Sequence, residues 1–195
     1  MIECNNSKIV EKPLNVSWEV IHDILQVAHC DKNKEGGVQI TARYSGVELK
    51  EKVGKGKCFV ALLDDKVVGT CSVSIREREF WFGKGCMAYY MFDAVLPSYQ
   101  GYGIYSKLEE ARDKYIISKE INLIYTYTSY HNKKMHKIKK HAGFRLVGFF
   151  ASQKTDYYSV ILAKWIGGCP FPKWYCHFRY VYSMIRVRLH NRNRF

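Results

Sequence analysis

The sequence predicts an α/β fold: a mixed central sheet of about seven strands with helices on both faces, followed by a basic helical extension. Three observations predict it. Apolar runs of strand length alternate with amphipathic segments of helix length over residues 8–164. One apolar run ends in a glycine-rich turn that opens directly into a helix. Beyond residue 164 the chain carries Lys173, Arg179, Arg186, Arg188, Arg192 and Arg194 with no acidic residue among them.

The elements follow in order. Residues 8–12 make a short first strand, and Asn15 or Ser17 caps a helix carrying Trp18, Ile21, Leu25 and Ala28 at helical spacing. Residues 31–37 read as a loop. Ser45 with Glu48 three residues later is a capping-box pattern, so a second short helix runs to about Val53 and ends at Gly54 and Gly56. Strands over 58–63 and 66–75 flank Asp64-Asp65, a tight hairpin turn. Residues 76–84 form a loop or a hairpin extension, and 87–96 are a third strand, apolar apart from Asp93. A helix over 101–118 places Ile104, Leu108, Ala111 and Tyr115 on one face and its charges elsewhere. A strand over 121–129, a helix over 132–142 closed by Gly143, and strands over 145–151 and 157–164 complete the domain. The domain boundaries are 1–164 for the α/β domain and 165–195 for the extension.

Composition narrows the class. At 195 residues with 47% hydrophobic and 25% charged residues, the chain is an ordinary globular protein with room for a core. Its formal net charge of +13 favours anionic partners. Its 7 cysteines include no CxxC pair, so no zinc site or disulfide framework is signalled, and a reducing cytoplasm is expected. No stretch approaches the roughly 20 apolar residues of a spanning helix, and the first residues lack the apolar segment of a signal peptide.

The most informative segment is Val95-Leu96-Pro97-Ser98-Tyr99-Gln100-Gly101-Tyr102-Gly103-Ile104. Turn amides and the first free N–H groups of a helix converge there, and the helix dipole favours negative charge. A bare glycine pair can serve the corner's geometry alone. Here Val95, Pro97, Gln100 and Gly103 fall in register with the Q/R-x-x-G-x-G/A motif of the GNAT acyltransferases, which the segment resembles. A second stretch, Asn132-Lys133-Lys134-Met135-His136-Lys137-Ile138 followed by Gly143-Phe144, is similar to that family's N-x-x-A-x-x-L-Y-x-x-x-G-F motif. The resemblance covers about residues 8–164. It implies acetyl-CoA as co-substrate, no metal, and a cleft between the strand ending at Leu96 and the strand ending at Ser129. It further implies that the amides of Gln100, Gly101, Tyr102, Gly103, Ile104, Tyr105 and Ser106 hold the pyrophosphate. The backbone of Ala94, Val95 and Leu96 would pair with the pantetheine arm, and Asn132 would hydrogen-bond it.

Two positions depart from the pattern. Tyr105 stands where the motif has Gly or Ala, and would either crowd the cofactor or pack on it. Lys139 stands where the family has a tyrosine that protonates the leaving thiolate; an ammonium could serve there or point to solvent, leaving the acid role to Tyr130 or water. For the base, Asp93 is the favoured candidate, a lone carboxylate in an apolar strand where burial favours the protonated form. The alternative reading of Asp93 is a carboxylate satisfied by backbone amides, and the alternative base is His131. His136 and His141 read as structural. The aromatic loop Phe80-Trp81-Phe82 borders an acceptor pocket or caps the core. The acceptor expected is a small-molecule amine, an amino sugar by analogy; a non-catalytic acyl-CoA binder and a protein N-acetyltransferase are the other readings.

In the extension, Pro172 opens a helix on which Trp174, Phe178, Val181, Ile185 and Leu189 share a face, with Arg179, Ser183, Arg186 and His190 opposite. Two occupants of that apolar face weigh equally, an anionic membrane surface and the domain itself or a partner subunit such as a second copy. Nucleic acid ranks below both, since no recognised binding motif accompanies the charge.

Overall fold

The computed structural model describes residues 7–34, 44–80, 83–151, 158–168 and 170–190. They form seven strands and five α-helices in the order the sequence predicts, with the C-terminal helix present. The chain divides into two compact units, residues 1–121 and 122–195.

The first unit contains β1 (Lys8–Glu11), α1 (Trp18–Lys34), α2 (Gly46–Val53), β2 (Lys57–Leu63), β3 (Lys66–Phe80), β4 (Gly83–Val95) and α3 (Ile104–Ser118). Its strands form an antiparallel meander, β1 beside β2, β2 beside β3 and β3 beside β4. Local chemistry sets several boundaries. Ser17 Oγ accepts from Val20 N–H at the start of α1. Ser45 and Glu48 close a reciprocal capping box on α2, as expected. Asp64 and Asp65 both take positive φ, 49° and 60°, the geometry of a two-residue hairpin turn whose twist matches the strands. Two expectations change. Residues 31–34 continue α1 instead of leaving it, and 76–80 with 83–86 are paired strand, the hairpin extension rather than the loop.

Helices cover both faces of this meander. Ile21, Ile24, Leu25, Leu49 and Val53 of α1 and α2 pack with Cys58, Val60, Met91, Phe92 and Ala94 on one face. On the other, α3 buries Ile104, Leu108, Arg112 and Ile116, and Leu108 O accepts a contact from the Cys71 thiol at 3.4 Å. The fully buried residue at 112 is an arginine, not the neighbouring Ala111, so the charges of this helix do not all lie outside.

The second unit contains β5 (Leu123–Ser129), α4 (Lys133–His141), β6 (Arg145–Ala151), β7 (Tyr158–Trp165) and α5 (Lys173–His190). β7 lies between β5 and β6, antiparallel to each. Gly143 takes φ +87° just beyond α4, the left-handed stop expected there. Pro172 immediately precedes α5. Cys176 of that helix is buried, Tyr180 sets its ring edge-on to Phe149 of β6 at 6.3 Å, and Phe171 O accepts from Arg145 at 3.0 Å. The helix expected as an extension is therefore packed on the strand layer of its own unit.

Candidate active site

The decisive local feature is a bulge in β4. Thr70 pairs with Ala94 and Ser72 with Met91, so Phe92 and Asp93 together oppose Cys71. Phe92 pays for the extra residue with φ +59°, a rare conformation for a bulky side chain. Alternation breaks as a result. Met91 and Phe92 both join the core under α1 and α2, while Tyr90 and Asp93 both turn toward α3. Without the bulge Asp93 would face the apolar side.

Asp93 meets Arg112. One guanidinium nitrogen contacts Asp93 Oδ1, the other donates to Oδ2 at 3.0 Å, and Arg112 also donates to Ser72 O at 3.0 Å. Arg112 is 0% exposed and the Asp93 side chain 15%. The Tyr90 ring lies 3.8 Å from the guanidinium carbon, and Tyr90 OH donates to Asp113. Burial alone would make Arg112 easier to deprotonate, but the Asp93 charge reverses this and holds it firmly cationic. Tyr105 OH completes the set by donating to Asp93 Oδ2 at 3.0 Å. Burial first, and the Asp93 charge next, push its pKa up, so it remains a donor.

These contacts bear on two expectations. A carboxylate that receives both a guanidinium and a phenol gives up a buried ion pair on accepting a proton, which weighs against the base role expected of Asp93. Its partners include the side chains of Arg112 and Tyr105. Tyr105 turns its hydroxyl inward to Asp93.

The turn after β4 is shaped for an anion. Val95 and Ala94 pair with Gly69 and Thr70 of β3, and Leu96 N–H donates to Val68 O at 2.9 Å. Residues Pro97–Tyr99 make one tight turn, and the Gln100 side chain reaches back to Val95 O at 3.0 Å. Gly101 and Gly103 follow at φ +89° and +76°, where a side chain would be strained. Gly101, Tyr102, Gly103 and Ser106 are exposed. Gly103 caps α3 without a side-chain hydrogen bond, and Lys107 N–H to Gly103 O is the first bond of the helical ladder. The amides of Ile104, Tyr105 and Ser106 therefore precede that ladder and carry the positive end of the helix dipole. Gln100 N–H is engaged by Pro97 O at 3.2 Å, which removes it from the expected anion-binding set.

The second unit holds the remaining candidates. Asn132 caps α4 through Oδ1, which accepts from Met135 N–H at 3.1 Å; this is a helical role beside the ligand contact expected of it. His131 is exposed in the turn before α4, its ring 5.4 Å from that of Tyr130. Lys139 does not project into solvent. It is 2% exposed, with its ammonium 5.0 Å from the centre of the Phe144 ring. His136, read as structural, bonds Ser129 O through Nε2 at 3.0 Å, and burial holds its pKa below the usual value. The proposed acceptor border at Trp81 and Phe82 lies outside the described residues, as does the Phe80 side chain.

Sequence reasoning missed Arg112. A usable signal existed: positions 104, 108, 112 and 116 share one helix face, and an arginine among apolar residues there matches a lone aspartate in an apolar strand.

The bulged strand thus leads through two left-handed glycines into a helix start that has no side-chain cap, the turn that the resemblance to acyltransferases requires. The chain belongs to the GNAT acetyltransferase family, whose sequence profile matches residues 18–144. Among solved structures, it is similar to a GNAT family acetyltransferase from Elizabethkingia anophelis with acetyl-CoA bound, at 12% identity and TM-score 0.61 over 83% of this chain and 99% of that one. It is also similar to aminoglycoside 6'-acetyltransferase type Ii, at 17% identity and TM-score 0.60 over 85% and 99%. The ribosomal-protein-S18-alanine N-acetyltransferase from Escherichia coli gives 14%, 0.60, 85% and 99% in the same terms. At these identities the likeness is one of fold. No match among curated proteins is found. Among the described residues no cluster of His, Cys, Asp or Glu could hold a metal ion.

Proposed function

We propose that the chain transfers an acetyl or similar acyl group from acyl-CoA to the primary amine of a small molecule, by direct attack of the amine on the thioester carbonyl. The observation that carries this reading is the exposed turn from Gly101 to Ser106. Its donors are backbone N–H groups at a positive helix end, which suit a diphosphate, and its glycines let a ligand approach the backbone. Acetyl-CoA bound to the Elizabethkingia relative supports the same co-substrate here. In the proposed reaction, this turn binds the cofactor's diphosphate and the β4 end positions the acyl arm.

His131 takes the proton that the attacking ammonium must lose. Asp93 and Arg112 act as positioning residues that hold the bulge and the start of α3 together. Lys139 is buried against Phe144; the leaving thiolate takes its proton from Lys139, from Tyr130 or from water. The relatives span an aminoglycoside enzyme and a protein N-acetyltransferase, so acceptor class is the open variable of this proposal. Amino sugars fit the small-molecule reading.

The test is calorimetric titration with acetyl-CoA, followed by thiol release with a panel of amino sugars, aminoglycosides and peptides with free N-termini. Binding with turnover on a small amine is the expected result. Binding without thiol release on any amine would instead make the chain an acyl-CoA binder. Turnover only on peptides would move it to protein acetylation.

A further inference from the structure

Helix α5 has two nonpolar faces, and the described residues cover only one of them. Cys176 and Tyr180 point toward β6, with Val187 following on the same side. Trp174, Phe178, Tyr182, Ile185 and Leu189 are exposed by 69%, 59%, 58%, 51% and 57%. At about 100° per residue these five fall within a stripe about 80° wide, roughly opposite the packed face and about 22 Å long. Phe178 and Tyr182 stack on each other at 6.2 Å along it. A row of five large apolar side chains left in water on one helix is costly and marks a binding surface.

Charge decides the occupant. Arg179 and Arg186 border the stripe on one side, and Arg188, His177 and Lys173 on the other. No Asp or Glu occurs anywhere in residues 157–195. A second copy of this chain laid on the stripe would bring the same cations against these, with no acid on the helix to meet them. Nucleic acid would use the cations but has no need of a continuous aliphatic and aromatic row. An acidic bilayer uses both, because headgroups meet the flanking guanidinium groups while the stripe enters the acyl boundary about 5–10 Å deep. No described helix is long and apolar enough to cross a membrane, so α5 would lie in the surface plane.

We propose that α5 docks the protein on an anionic phospholipid surface, its Trp174-to-Leu189 stripe inserted and its arginines at the headgroups. This goes beyond the acyl-transfer reading and stands on other residues.

The test uses the full chain and sedimentation with vesicles of phosphatidylcholine alone or mixed with phosphatidylglycerol. The protein should sediment with the mixed vesicles, be largely released by high salt, and stay in solution with the neutral ones. The double variant Arg179→Gln, Arg186→Gln should lower partitioning about tenfold or more. The double variant Phe178→Gln, Ile185→Gln should lower it comparably, and Trp174→Phe should remove a blue shift of tryptophan emission that accompanies binding. All these side chains are at the surface, so unchanged melting temperature and unchanged acetyl-CoA titration are expected and separate this proposal from the catalytic one. Equal sedimentation with neutral vesicles, or wild-type binding by the stripe variant, overturns it. So does a solution dimer that the stripe variant dissociates, or an RNA oligonucleotide that displaces the vesicles and binds the stripe variant as tightly as the wild type.

Discussion

Replacing Arg112 with methionine isolates what the buried ion pair contributes. The side chain is wholly buried, bonds Asp93 through two nitrogens and Ser72 O through one, and lies against the Tyr90 ring. Methionine fills much of the volume but leaves Asp93 as a mostly covered carboxylate with the Tyr105 hydroxyl still donating to it. Removing one partner of a buried pair costs about 3–5 kcal/mol, because the remaining charge is uncompensated. Against a typical stability of about 5–15 kcal/mol this is a large share, so a shift of about 1–3 M in the urea midpoint is expected. Asp93→Asn should cost a comparable amount for the mirror reason. The double variant Arg112→Met, Asp93→Asn removes both charges and should cost well under the sum of the two single variants. Urea unfolding of the four proteins, followed by far-ultraviolet circular dichroism, closes the cycle. Single variants that each cost under about 1 kcal/mol and add without coupling would refute the argument. The same cycle bears on mechanism, since Asp93→Asn should leave the acid limb of the pH–rate profile in place if another group takes the proton.

Two further outcomes follow from local geometry. Gly103→Ala places a Cβ at φ +76° with nothing within 4 Å to obstruct it, so it should cost about 1–2 kcal/mol of stability through backbone strain alone. Gly103→Glu adds a carboxylate among the turn amides and should abolish acetyl-CoA binding by calorimetry, a loss the alanine variant should not reproduce in full. His136 has a folded pKa depressed below 6.5 by burial, so the unfolded chain binds its proton first as pH falls. Its contribution is present above 6.5 and is lost as pH drops through the folded value; His136→Gln should flatten the pH dependence of melting temperature in that acid window.

Much of this was legible because the signals are local. Ser45 with Glu48, Asp64-Asp65 and Gly143 each act within a few residues, and each sits where its chemistry predicted. The glycine-rich turn was readable for the same reason. Asp93 was noticed without its ion-pair partner, because that partner is 19 positions away on another element. What aims it there is a bulge that places an aromatic residue, Phe92, at positive φ, which composition does not announce. Arg112 escaped because helical periodicity counts an arginine as exterior. In α5 an apolar stripe was read with Val181 where Tyr182 stands, while Trp174, Phe178, Ile185 and Leu189 do share the exposed face. Its exposure was not readable, since periodicity ranks faces by hydrophobicity, and the face that packs on β6 is built around Cys176 and Tyr180 instead.

The turn beyond β4 is fastened on both sides. Gln100 holds its entry to the end of the strand, and Tyr105 holds its exit to Asp93, which Arg112 in turn anchors to Ser72 of β3. Between these two clasps lie only Gly101, Tyr102, Gly103 and Ile104, two of them in left-handed conformations that the clasps keep in place. The turn is thus held by contacts that the chain makes with itself. The tyrosine that breaks the family's small-residue pattern supplies one of the two clasps.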